Sequence, residues 1–171
     1  MKILGEKSLS SKVIVGLNIL FAIISVTDIV VLGIIIKIIN HIVMNENIQN
    51  NIFDLIVYIM IIITGLIALF IIYQFIKIFK NLKNNILFCE NNAKRLNLVS
   101  NSCFIISAFY LIIALFIASI MNNLNGEFIY SIFFFLLILI IIFVISGIGI
   151  KILNEIYKKA IEYKEENDFT I

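Results

Sequence analysis

Asp28 is the one charged residue inside the apolar run 13–36, so its chemistry would be that of a carboxylate set in hydrocarbon. An ionisable side chain inside a membrane is expensive, and by default it is a candidate functional residue. Asn18, Ser25 and Asp28 follow one another at seven- and three-residue steps, which on a helix gathers them on one face, with Ala22 close by. A polar face with small residues is expected in a bundle interior and not against lipid. Three roles suit Asp28: a neutral or hydrogen-bonded group that orients helices, a proton- or cation-responsive site, and a contact to another subunit or partner. Thr64, Ser119 and Ser131 would lie at similar depth on other helices. The nearest cation along the helix is Lys37, roughly 13 Å further on.

The remaining reactive side chains do not assemble. Cys89 and Cys103 are too far apart for a CxxC motif, and His41 is the only histidine. No zinc or haem spacing can be built from them, and two free thiols are expected. The chain offers no nucleophile–base pair and no glycine-rich phosphate loop. It is expected not to be an enzyme and to need neither cofactor nor metal.

The elements that must position Asp28 follow from composition. Of 171 residues, 62% are hydrophobic and only 14% charged, with a mean hydropathy of +1.12. Ordinary soluble domains are about 45–50% apolar and about 25% charged. One soluble core of this size cannot hide such an excess, so the expected solvent is lipid. Four apolar runs, 13–36, 55–76, 103–121 and 128–150, each approach the roughly 20 residues that cross a bilayer as helix. Continuous runs exclude the alternating pattern of barrel strands. The first run is too long for the apolar core of a signal peptide, and it carries Asp28, so a retained helix is expected. The absence of proline lets helices run unbroken, and the absence of tryptophan leaves Tyr58, Tyr73, Tyr110 and Tyr130 to form any aromatic belt. The expected fold is all-α: a single membrane domain over 1–171, built as an integral membrane four-helix bundle.

Orientation comes from the lysines. Twelve of the thirteen Lys and Arg fall before the first run, in the loop 77–102, or in the tail 151–171, and Lys37 is the exception. The positive-inside rule then puts both termini in the cytoplasm. His41 and Cys89 fall on opposite sides. The basic rim suits anionic lipid, and juxtamembrane lysines explain it without direct nucleic-acid binding. The outer loops, 40–54 and 122–127, are short and asparagine-rich, too small for an outer domain.

Helix packing has its own signals. Ala114 and Ala118 make a small-xxx-small pair, and Ser146, Gly147 and Gly149 a close-approach patch. These are read as packing surfaces; a homo-oligomer stays open. In the inner loop, Asn84 and Asn85 mark a turn and Phe88 folds back as an apolar anchor. A new helix starts near Glu90, whose charge complements the helix dipole. The tail is expected to continue the fourth helix as a cytoplasmic amphipathic segment. Its apolar stripe of Ile152, Leu153, Ile156, Tyr157, Ala160 and Ile161 must be covered by the protein itself, the membrane surface or a partner. The acidic end with its apolar finish, EENDFTI over 165–171, reads as a docking segment.

The loop and tail together resemble a known family. The stretch FKNLKNNILFCENNAKRL over 79–96, with Phe79, Asn81, Leu82, Phe88, Glu90, Asn91, Lys94, Arg95 and Leu96, is similar to the bacterial domain-of-unknown-function 2975 family. Members carry a basic turn, a Phe followed by a small hydroxyl residue, an E-N pair and a K/R-R-L run between spans two and three. They also end in an E-N-D-L-T-I-like sequence, where this chain has Glu166, Asn167, Asp168, Phe169, Thr170 and Ile171. Cys89 departs from the hydroxyl residue that would cap the helix, and Phe169 departs from the usual Leu. The resemblance implies an integral membrane protein of the bacterial plasma membrane. It also implies a neighbouring Cro/CI-type helix-turn-helix regulator as a cytoplasmic partner, and it brings no catalytic residues.

Three functions compete. The first is a non-enzymatic regulatory or sensor protein that binds a cytoplasmic partner through Phe88, Glu90, Lys94, Arg95, Asp168, Phe169 and Ile171. The second is a small transport or permeation subunit working through Asp28, which the short length and the lack of broken helices disfavour. The third is a membrane immunity or stress-tolerance protein.

Overall fold

The computed structural model describes residues 9–45, 48–86, 88–120 and 127–168. These residues form four helices: α1 (Leu9–Asn45), α2 (Ile48–Lys83), α3 (Glu90–Ile120) and α4 (Glu127–Asp168). The fold is all-helical, as expected. Each of the four is long and apolar enough to cross a membrane.

The helices outrun the apolar runs that nucleate them. At 31–42 residues they reach about 46–63 Å, against roughly 30 Å of hydrocarbon. The outer loop expected over 40–54 is mostly helix, with only 46–47 outside the described residues. That segment holds neither glycine nor proline, and asparagine alone is a weak helix breaker. Residues 122–126 of the second loop expected outside lie beyond the described residues.

The expected inner turn is where the sequence puts it. Asn84 and Asn85 close α2: the Asn84 N–H donates to Lys80 and Asn81 carbonyls, and the Asn85 N–H to Leu82. Asn85 takes φ 63°, a left-handed conformation that asparagine tolerates better than other side-chain-bearing residues. Glu90 opens α3 one residue after Cys89, whose carbonyl accepts from the Asn92 and Ala93 N–H groups. The backbone thus begins the helix in register although no Ser or Thr stands at that position.

The chain divides into two compact units, Met1–Asn85 and Ile86–Ile171. In the first, α1 packs on α2; in the second, α3 packs on α4. The second pair holds the larger share of the core, including Val99, Cys103, Ile106, Tyr110, Ala114 and Leu136. Tyr110 and Phe143 bring their rings to 6.0 Å. Gly147 supplies the close approach expected on α4: a Cβ there would stand 3.1 Å from the Phe104 ring. Gly149 faces open space and Ser146 is exposed, so the expected patch reduces to one residue. Ala114 is buried and Ala118 half-buried.

Candidate functional site

In the first unit, Asp28 meets Gly65. Asp28 stands eighteen residues before residue 46, and Gly65 eighteen residues after residue 47, so an antiparallel hairpin brings them level. Asp28 is 7% exposed. Its carboxylate lies on the α2 backbone in the space that a side chain would fill: a Cβ on Gly65 would fall 2.6 Å from Asp28 Cγ, with Oδ1 closer still. Asp28 Oδ2 is buried without a hydrogen-bond partner among the described residues. Asp28 apart, no charged residue stands on α1 between Lys12 and Lys37, or on α2 between Asp54 and Lys77.

The polar face expected around Asp28 divides. Ser25 is half-buried and its hydroxyl donates to the Phe21 carbonyl at 2.8 Å. Asn18 and Ala22 are exposed, because at roughly 3.6 residues per turn they stand about 80° and about 120° around the helix from Asp28, off the face that Ser10, Leu17, Asp28 and Ile35 share. Thr64, expected at the same depth, donates to the Met60 carbonyl at 2.8 Å. Gly65 was not anticipated, although it is the single glycine of α2, and a lone glycine in a long helix signals close approach.

In the second unit, a polar seam joins α3 to α4. The Ser100 hydroxyl donates to the Gly147 carbonyl at 2.8 Å. Asn92 Nδ2 donates to the Tyr157 hydroxyl at 3.1 Å. Phe88 lays its ring 5.7 Å from that of Tyr157, which realises the anchor expected of it. Asn154 is 1% exposed, and both polar atoms of its amide lack partners among the described residues. In a chain rich in surface asparagines, nothing in the sequence separates Asn92 and Asn154 from the rest.

Beyond this seam a groove of about 420 Å³ opens between the start of α3 and the last turns of α4. Glu90, Lys94 and Asn97 line it from α3, and Lys158, Glu162 and Glu165 from α4, around Ala93 and Ile161. Lys94 and Glu90 pair at 3.2 Å while staying largely in solvent. Two of the expected contact residues, Glu90 and Lys94, therefore converge on one groove. Arg95 is half-buried. Asp168 closes α4, and Phe169 and Ile171 lie outside the described residues.

The stripe expected on the α4 tail is not buried as one surface. Tyr157, Ala160 and Ile161 are half-buried, while Ile152, Leu153 and Ile156 are 56%, 59% and 60% exposed. Asn154 occupies the buried face instead. The tail turns a mixed side to α3, with Asn154 and Tyr157 in the seam and Ile161 against the groove, and leaves Ile152, Leu153 and Ile156 outward.

Four apolar helices arranged as two pairs define a multi-pass integral membrane protein. The chain belongs to the family described as protein of unknown function (DUF2975), which matches residues 13–171. No curated protein and no solved structure matches it.

Proposed function

We propose that this is a non-enzymatic regulatory or sensor protein of the bacterial plasma membrane, with both termini cytoplasmic. In this reading a cytoplasmic protein binds where α3 begins and α4 ends. The observation that carries it is the mixed-charge groove around Ala93 and Ile161. Its lysines and carboxylates suit a partner surface bearing both signs, and interfacial charges set specificity and association rate more than affinity. The family resemblance of the inner loop and tail supports a small Cro/CI-type regulator as that partner. Holding a DNA-binding protein at the membrane would need no catalytic chemistry.

The test is affinity purification from mild detergent with mass spectrometry, comparing the full chain, Lys94→Glu and a chain ending at Tyr163. A small DNA-binding protein recovered with the full chain and lost from both variants supports the reading. Its equal recovery from all three refutes a contact at this groove.

Asp28 supports a second reading, a small transport or permeation subunit, since its Oδ2 is buried and lacks a partner among the described residues. Asp28→Asn would then abolish a flux, or its proton dependence, in reconstituted vesicles. Unchanged uptake would sink it.

A further inference from the structure

The exposed apolar face of α4 does not stop where the apolar run stops. Ile138, Ile141, Ile145 and Ile148 are exposed at three- and four-residue steps, and Ile152 and Ile156 continue the same line. The opposite side of these last turns is committed to α3, through buried Asn154 and the Tyr157–Asn92 hydrogen bond. Lys151, Ile152, Glu155, Ile156 and Lys159 line a shallow apolar groove along the outward face. Glu155 is held by Lys158 at 2.9 Å, so its charge is offset and Lys151 and Lys159 leave the groove positive.

Length places this face. Counted from residue 150, Ile152 lies about 3 Å and Ile156 about 9 Å further along the helix. The headgroup layer is about 5–7 Å thick on each side of the hydrocarbon. Lys159 lies some 14 Å out, near enough for its stem to reach back toward the headgroups. Tyr163 lies about 20 Å out, in water.

We propose that this stretch of α4 is a binding site for anionic phospholipid, with Ile152 and Leu153 beside the first carbons of the acyl chains, Ile156 at the outer edge of the headgroup layer, and Lys151 and Lys159 on the headgroup phosphates. Two observations carry it: the continuity of the face with the apolar surface of the same helix, and its positive rim. The proposal is independent of the partner groove, which lies on other residues. It predicts a helix pinned at the membrane surface by two turns before it runs free.

The chain contains no tryptophan, so one introduced indole reports alone. The full chain carrying Ile152→Trp, Ile156→Trp or Tyr163→Trp is reconstituted in vesicles of phosphatidylcholine with phosphatidylglycerol, one or the other brominated. All three positions are exposed, so folding is expected to survive, and circular dichroism checks it. Brominated lipid should quench most at position 152 and less at 156, phosphatidylglycerol more than phosphatidylcholine, while acrylamide quenches at 163. Lys151→Gln and Lys159→Gln should each lower the preference for phosphatidylglycerol about fivefold. Equal quenching by the two lipids overturns the anionic site. Acrylamide quenching at 156 as strong as at 163 overturns the membrane contact. Shielding from both quenchers would mean that a second copy or another protein covers the face, which also overturns it.

Discussion

The carboxylate of Asp28 rests on the backbone of Gly65, where any side chain would stand in its place. The two residues act as one unit, since the burial of the acid depends on the absence of a Cβ opposite. Gly65→Ala should therefore destabilise the α1–α2 pair by about 1–3 kcal/mol through overpacking. Asp28→Ala in the same chain should recover much of that loss. A double-mutant cycle, read as the midpoint of unfolding by sodium dodecyl sulfate, gives the coupling. Additive effects would show that the contact carries no coupling.

Asn154 makes a prediction of the opposite sign. Its amide is buried with neither polar atom partnered among the described residues. A buried unpaired polar group costs about 1–3 kcal/mol, and an apolar group of similar shape removes that cost. Asn154→Leu should leave the α3–α4 pair as stable or more so in the same titration. A loss would mean that the amide has a partner, such as an ordered water.

The seam beside it should behave conventionally. Tyr157→Phe removes the acceptor at 3.1 Å from Asn92 Nδ2, and Ser100→Ala removes the donor to the Gly147 carbonyl. Each should cost about 0.5–1.5 kcal/mol. Tyr157→Phe keeps the ring against Phe88, so Tyr157→Ala should cost more than Tyr157→Phe.

The Glu90–Lys94 pair separates stability from binding. Both side chains are largely in solvent, and such pairs contribute about 0.3–0.5 kcal/mol. Lys94→Ala should hardly move the unfolding midpoint, while Lys94→Glu should weaken capture of a partner at the groove. A large stability change in Lys94→Ala would place this lysine in the framework of the hairpin instead.

Glu155 should titrate below the ordinary glutamate value of 4.5, because Lys158 donates a hydrogen bond to it and adds its charge, with smaller help from Lys151 and Lys159. A depressed folded value means that the pairing is fully present above the unfolded value and is lost as pH falls through the folded one. Carboxyl carbon shifts in neutral detergent should show this, with Lys158→Gln moving Glu155 back up. No change in Lys158→Gln would remove Lys158 as the cause.

What the sequence revealed divides along physical lines. The four helices, the turn at Asn84 and Asn85 and the start of α3 at Glu90 were legible, because they follow from hydropathy and local backbone chemistry. Their extent was not: without proline or glycine between residues 40 and 54, helix continued where a loop was expected. Asp28 was legible as the one charge in its run, but the face assigned to it was too broad, and Asn18 lies in the open. Gly65, Asn92 and Asn154 matter only through what faces them across a pair, and one strand of sequence does not show its facing neighbour. How the tail stripe divides was hidden for the same reason, since Asn154 and Tyr157 set which side turns to α3.

The left-handed step at Asn85 falls at the boundary between Met1–Asn85 and Ile86–Ile171. Each half carries its own interhelical contacts, so each has what it needs to pair its helices as it leaves the ribosome. A gene cut after the codon for Asn85, with its halves translated as separate polypeptides, should still yield two inserted and internally paired hairpins. The unit of inheritance for this architecture is then the hairpin, and duplication, exchange or loss of one pair is a step open to its evolution.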